Sequence, residues 1–580
     1  MTRQPCPGGH PTALPRTTAS RVQGLARGVI MACALGLAPA GLRAQDAMRT
    51  APEKSAFRET TRYADVVRFM EAAAAAGPQL IRMDTFGYTF EGRALPVAIV
   101  GRLADKRPET VRASGRTVVY VQGNIHAGEV EGKESLLMLL RDLSAGRHQE
   151  WSDSLVLLIA PIYNADGNER VQMNQRGVQN GPIAGMGQRP NAQGYDLNRD
   201  HMKLESPEAR SLANLFTRYD PHVIMDLHTT DGTRHAYHIT YSVPMHPSTD
   251  SAIVRLMRTR WMPEVTKAVK DKHGWDYYYY GNLQGQGEDR GWYTFDYRAM
   301  FNNNYAGLRN RFGILSEAYA YATFEDRIKA TSWFVEEVVN FAMRNATAIR
   351  RETARADAES LAGRRLALRA DFERAPQMVD ILMGDVEEIR NPISGARMLN
   401  RLDARATERM AEFGTFKPTD TERVPRSYLV PAALTDVIDR LRAHGVRMTT
   451  LAAARPTRIE KFRIDSTTVA REFQGHTERT LYGGYESAME TVPAGTVVVS
   501  TGQPLGRLVF SLLEPRSDDG FVNWNVIDRD MGMAAAPAGR GGFGGGGGGG
   551  GGRGGGRGAA PAPQQPATHY PITRTDEGLR

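Results

Sequence analysis

The sequence has almost no cysteine. Its two, Cys6 and Cys33, both fall within the first 44 residues, so the chain beyond them carries no thiol. That excludes disulfide stapling, thiolate catalysis and cysteine-ligated zinc in the body of the protein. Any metal site there must be built from imidazole and carboxylate. Acidic residues are missing from two stretches. Residues 1–44 hold five arginines and no acid, and residues 540–558 hold three arginines and no acid. These account for the whole formal net charge of +8, so the remainder is formally neutral. A basic, nucleic-acid-binding body is thereby excluded. Long hydrophobic runs are missing too: the apolar run at 28–42 is too short for a comfortable membrane span.

That run sits behind an arginine-containing leader and ends in Leu-Arg-Ala, with Asp46 soon after. This is the pattern of a secretory signal over residues 1–44, cleaved after Ala44, which sends the mature chain to the periplasm or the medium. A length of 580 residues predicts more than one domain, and a hydrophobic fraction of 41% suits a globular core. Residues 55–350 read as one catalytic domain. Beyond about residue 374 the character changes. Short strand-like runs at 426–430, 496–500 and 508–512 alternate with turns, and one helix is predicted at 432–444. Residues 380–530 therefore read as a smaller α+β unit with no catalytic cluster. Residues 535–568 are Gly/Ala/Pro-rich low complexity, predicted to be disordered. For 569–574, docking onto the body is left open.

Within the catalytic stretch, apolar runs of strand length each end at a reactive residue. Residues 117–121 are β-branched and apolar; the run breaks at Gly123 and presents His126 and Glu129. Residues 223–227 deliver His228, and 313–316 deliver Glu317. The run at 155–162 is apolar throughout, as expected of a central strand covered on both faces. Helical spacing appears at 63–76, 130–143, 249–270 and 324–348, and Ser206-Pro207-Glu208 starts a helix running to about 219. Residues 172–195 and 275–310 read as long loops. The alternation predicts an α/β fold with helices on both faces of a mixed sheet. Sheets of that kind hold their ligands at the carboxyl ends of the strands.

The residue types at those strand ends define a chemistry. His126, Glu129 and His228 offer two nitrogens and one carboxylate, which with a water describe hydrolytic zinc. Glu317, straight after an apolar run, is a candidate general base for that water. Asp196 either accepts the second ring proton of a zinc-bound imidazole or simply closes a turn. Asn198-Arg199 brings an amide and a guanidinium toward the site. A guanidinium forks a carboxylate bidentately, so Arg199 is either a substrate clamp or half of a surface ion pair.

The order His126-x-x-Glu129, Asp196-Leu197-Asn198-Arg199, Leu227-His228 and a late Glu317 resembles the zinc carboxypeptidases of the carboxypeptidase A type, over about residues 60–345. The resemblance implies a mixed eight-stranded sheet sandwiched by helices and one Zn2+ per chain. It implies hydrolysis of the C-terminal bond of peptide or protein substrates that carry a free carboxylate. His126, Glu129 and His228 would hold the metal, with Glu317 as base. Asn198 and Arg199 would bind the terminal carboxylate, with Asp196 behind His126. A further arginine that polarises the scissile carbonyl falls to Arg176 or Arg189, with Arg176 preferred. Tyr293 and Tyr297 bracket a tyrosine that closes over the substrate, and Tyr297 is chosen. The stretch 301–305 has no acid, against a strict preference for Lys or Arg. Two alternatives remain: a zinc amidase or endopeptidase acting on cell-wall peptides, and an inactive binding module on the same scaffold.

Overall fold

The computed structural model describes residues 48–533 and 567–579. The leader at 1–44 and nearly all of the 535–568 segment lie outside the described residues. Eight strands form the central sheet: β1 (Ile81–Tyr88), β2 (Ala94–Val100), β3 (Thr117–Gly123), β4 (Leu155–Ala160), β5 (Val223–Thr230), β6 (Ile239–Ser242), β7 (Tyr277–Tyr279) and β8 (Phe312–Tyr319). Their spatial order is β1-β2-β4-β3-β5-β8-β6-β7. The inner strands β4, β3, β5 and β8 run parallel, while β1–β2, β2–β4 and β8–β6 are antiparallel. This is the mixed sheet the alternation predicts.

Strand alternation feeds two cores. Val118 and Tyr120 of β3, with Val156 and Leu158 of β4, join one core; Val119, Val121, Leu157 and Ile159 join the other. Helices α1 (Tyr63–Ala76), α2 (Glu131–Ser144) and α4 (Phe324–Arg344) cover the second face through Val66, Phe69, Leu136, Leu140, Phe334 and Val338. The first face takes α3 (Pro207–Tyr219) through Leu212 and Phe216. In α3, Ser206 accepts a hydrogen bond from the backbone N–H of Ala209, Pro207 occupies the first turn and Glu208 sits at the positive end, as the sequence requires.

The same first-face core continues into Tyr428, Leu434, Val437, Leu441, Leu508, Leu512 and Trp524. The C-terminal region, 380–530 of which was expected as a smaller α+β unit, thus shares a core with the catalytic sheet and has a smaller cluster of its own at Leu429, Leu451, Ile459, Val492 and Val498. It completes a helical layer over the sheet and adds β-structure of its own. That β-structure includes a long hairpin, Arg455–Phe473 with His476–Val492, and a six-stranded sheet. Thr573–Thr575 docks into this sheet, between Ser427–Val430 and Arg455–Phe473.

Two local expectations are corrected. Residues 508–512 were expected as a strand but belong to the helix Gly506–Leu513. Leu508, Val509, Leu512 and Leu513 recur at i, i+1, i+4 and i+5, a helical stripe too short to stand out from an apolar strand. Residues 275–310 are not loop throughout: they include the edge strand β7 and the fully buried helix Asn302–Leu308. That helix is capped by tertiary contacts rather than by propensity, because three consecutive asparagines are poor helix formers.

Candidate active site

The four central parallel strands point their carboxyl ends at one pocket. Its lining includes His126, Glu129, Arg176, Arg189, Asn198, Arg199, His228, Tyr280, Phe295, Phe301, Leu315 and Glu317. The loop after β3 turns at Asn124, whose φ of +67° lies in the left-handed region that Asn tolerates better than most residues. A backbone bond from Glu129 N–H to the His126 carbonyl (2.9 Å) then sets the pair on one side of the turn. Gly128 has to be glycine here, since a Cβ would stand 2.8 Å from Arg176 Cγ. Gly132, at the start of α2, lets that helix lie on β5, where a Cβ would meet Leu227 Cβ at 2.7 Å.

His126, Glu129 and His228 are buried and converge, each with a ligand atom within 4.8 Å of the others. His228 Nδ1 lies 3.2 Å from His126 Nδ1 and 2.9 Å from Glu129 Oε2, while His126 Nδ1 lies 3.0 Å from Glu129 Oε1. Two imidazole lone pairs and a carboxylate facing one point at these distances fit a cation bound between them. The outward nitrogens are occupied as such a site needs. His126 Nε2 is 2.9 Å from Asp196 Oδ1. His228 Nε2 is 2.9 Å from Asp226 Oδ2, although the ring is turned off the line of a hydrogen bond. Both rings thus present Nδ1 inward and a carboxylate behind Nε2, the arrangement that fixes a ligand's tautomer. The donor set suits zinc.

The electrostatics follow from burial and pairing. Burial alone would push the Glu129 carboxyl up. The His126 ring and the Arg176 guanidinium overrule it and hold the carboxyl well below its usual range. Asp196 behaves likewise through His126, Arg199 and Arg189. Burial would lower His228, but Asp226 and Glu129 raise it well above an ordinary imidazole. Glu317 is different: burial pushes it up to about 8, and the nearby Glu129 charge adds to that. Its Oε2 has no hydrogen-bond partner among the described residues. A half-buried carboxylate kept free of hydrogen bonds beside the ligand cluster is poised to handle a proton.

The structure separates the two arginines. Arg176 donates from Nη1 to Glu129 Oε1 (2.6 Å) and from Nη2 to the Thr229 carbonyl (2.7 Å), so its fork is spent on holding a ligand. Arg189 holds Asp196 Oδ2 through Nε and Nη2 (2.9 Å each) and reaches Glu129 Oε1 only at 3.5 Å through Nη1, and its side chain is 34% exposed against 12% for Arg176. Arg199 bonds only the Asn198 carbonyl (2.7 Å), lies 4.0 Å over the Phe301 ring and pairs with no carboxylate among the described residues. Asn198 Nδ2 sits 3.4 Å from His228 Nε2, and its Oδ1 accepts from Asn302 N–H at 3.0 Å.

Tyr297 does not belong to the pocket. Its hydroxyl donates to Asp518 and accepts from Ala370 N–H (2.8 Å), and its ring packs on Met245 and Ala370. Counting back from Glu317 cannot show that a C-terminal carboxylate claims this phenol. The tyrosine that does line the pocket is Tyr280, partly buried on the segment after β7. Nothing in its spacing singles it out among four consecutive tyrosines. Asp226 was missed as well, although one acid inside an apolar strand run, two residues before a ligand and on its face, was a readable signal.

A pocket with a three-donor cation site, a half-buried carboxylate and a guanidinium without a carboxylate partner among the described residues fits a metal-dependent hydrolase site. Residues 66–317 match the family described as zinc carboxypeptidase. Carboxypeptidase 2 of Trichophyton tonsurans is 26% identical over 466 residues, covering 76% of this chain and 79% of the fungal protein. Human carboxypeptidase D is 34% identical over 150 residues, 22% of this chain and 11% of that protein. Carboxypeptidase A of Helicoverpa armigera, a solved structure, aligns at 16% identity with a TM-score of 0.37, over 50% of this chain and 75% of that one.

Proposed function

We propose that this protein removes the C-terminal residue of peptides through water activated at a zinc ion, with Glu317 as general base. The reading rests most on Arg199, a guanidinium left without a carboxylate partner in the pocket that holds the ligand cluster. A substrate's terminal carboxylate supplies the missing partner, and Asn198 stands beside it. With the terminus fixed there, the last peptide bond faces the cluster. The apolar wall of Phe295, Phe301 and Leu315 receives the side chain of the departing residue. Zinc in the site would lower the pKa of a water to about 7 and polarise a carbonyl.

The chain's own groups do the rest. Asp196 and Asp226 hold the two imidazoles in orientation. Glu317 takes the water's proton and carries it to the leaving amine. Arg189, the more open arginine, meets the oxygen on which charge develops. Arg176 keeps Glu129 in place. This reverses the preference between the two that spacing suggested. Asp231, exposed at the rim, is the one further acid in the lining, in keeping with apolar over strictly basic terminal residues.

The test is a zinc-loaded Glu317→Gln variant, which should keep its metal and lose turnover by several orders of magnitude. Wild-type-like rates would remove Glu317 from the base role. Arg199→Ala should weaken free-carboxylate peptides by roughly 10- to 100-fold, the worth of one or two charged hydrogen bonds. An equal loss on C-terminally amidated peptides would argue against Arg199 as the clamp. We further propose export through residues 1–44: the mature protein should begin near Gln45 by N-terminal sequencing.

A further inference from the structure

The segment 294–301 has no regular secondary structure, yet it supplies both aromatic walls of the pocket. Phe295 and Phe301 stand at its two ends, their rings 4.9 Å apart, and Phe301 also supports the Arg199 guanidinium. A segment without its own hydrogen-bond ladder must be held from outside. Asn304 Nδ2 donates to the Asp296 and Arg298 carbonyls at 3.1 Å each, and the remaining holders of the segment's backbone and polar side chains come largely from beyond residue 365. Thr294 N–H reaches the Phe413 carbonyl at 3.1 Å. Tyr297 is tied to Asp518 and Ala370, and Arg298 Nη1 donates to Glu478 Oε1 at 2.5 Å. Met300 N–H, one residue before Phe301, donates to Asp519 Oδ2 at 2.7 Å.

Asp519 is the informative member. It is buried, and its second oxygen accepts from Trp524 Nε1–H at 2.7 Å. A buried carboxylate is costly, and a residue serving only to fill space would be apolar. This one spends one oxygen on its own region and the other on the backbone behind Phe301. Resting on the carboxypeptidase reading above, we propose that Asp519 is a positioning residue for substrate recognition: it fixes the Phe295–Phe301 wall and, through Phe301, the guanidinium of Arg199. The C-terminal region would then be part of the recognition apparatus rather than an appendage.

The test uses the full-length, zinc-loaded protein with two N-acylated dipeptides, one ending in Phe and one in Ala. Asp519→Asn keeps one acceptor oxygen but cannot serve both donors. KM for the Phe-ending peptide should rise by about 10-fold or more with kcat nearly unchanged, the signature of lost uniform binding. The preference for Phe over Ala should shrink, and N-acetyl-phenylalanine should bind correspondingly more weakly. Tyr297→Phe, which deletes the hydroxyl links to Asp518 and to Ala370 N–H, should shift the same constants in the same direction and serves if the first variant fails to fold. Glu514→Gln is the control. It sits in the same region, against Tyr428, Tyr485 and Arg574, with no bond to the segment. It should leave the preference intact. An unmoved KM and preference in Asp519→Asn and Tyr297→Phe overturns the proposal, as does an equal shift in Glu514→Gln. If wild type cleaves no free-carboxylate peptide at all, it is the underlying function that fails.

Discussion

Glu317 and His228 are register partners, directly opposite each other on the parallel strands β8 and β5. The proposed proton acceptor and a proposed metal ligand are therefore spaced by the sheet's own hydrogen bonds, about 4.8 Å apart from strand to strand. No loop has to be ordered to bring them together.

That rigidity bears on Asp226, two residues before His228 on the same strand face. Asp226→Asn should weaken zinc binding about 10- to 100-fold, the usual effect of losing a carboxylate behind a ligating imidazole. Competition against a chelator of known affinity measures this. Asp196→Asn should behave similarly at His126, and unchanged affinity in both variants would leave the carboxylates without an orienting role.

The two arginines should separate by readout. Arg189→Ala should lower kcat by about 100- to 1,000-fold at full metal loading, as expected for losing a donor to developing oxyanion charge. Arg176→Ala, which leaves a buried carboxylate short of a partner, should cost about 1–3 kcal/mol of stability in the metal-free protein. Denaturant melts and steady-state rates distinguish the two, and the reverse pattern would restore Arg176 to the catalytic task.

Metal addition should stabilise the fold. A ligand that binds only the native state contributes about 4 kcal/mol at a thousandfold excess over its Kd. The melting temperature should rise when zinc is added to chelated protein. It should rise far less in a His228→Ala variant.

Asp518 and Asp519 predict a pH dependence of stability. Burial pushes Asp518 up to about 6 and Asp519 up to about 8, against an ordinary value of 3.8. Between those values the native state holds protons that the unfolded chain has released, so stability falls as pH rises. The contribution is complete below about pH 4 and lost once pH passes through 8. Melting temperatures from pH 5 to 8.5 should fall less steeply in Asp519→Asn than in wild type. Parallel slopes would show that Asp519 is already ionised across that range.

Much of the candidate cluster could be anticipated in the sequence because the strands that carry it are mostly apolar runs with a polar residue at or just beyond their carboxyl ends. His126, Glu129, His228 and Glu317 stand out against valine, leucine and isoleucine, and Asp196, Asn198 and Arg199 share one short turn. The walls are harder to read. Phe295, Phe301 and Tyr280 lie in stretches with neither helical nor strand periodicity, and the backbone beside Phe301 is bonded by Asp519, more than two hundred residues on. Tyr297 shows the cost: chosen by its distance from Glu317, it is held away from the pocket by Asp518 and Ala370. The C-terminal region misleads for a related reason. Its apolar runs indicate that something must cover them, and local spacing cannot say that the cover is the catalytic sheet itself.

Thr573–Thr575 sits in the interior of its six-stranded sheet, hydrogen-bonded on both sides, while Arg574 lies against Tyr485 and reaches Glu514 and Glu460. A protease nick in the glycine-rich stretch before it would therefore cut the covalent link without releasing the tail. The two fragments should co-elute under native conditions and part only in denaturant. A truncation at residue 533 should leave two strand edges bare and an insoluble product.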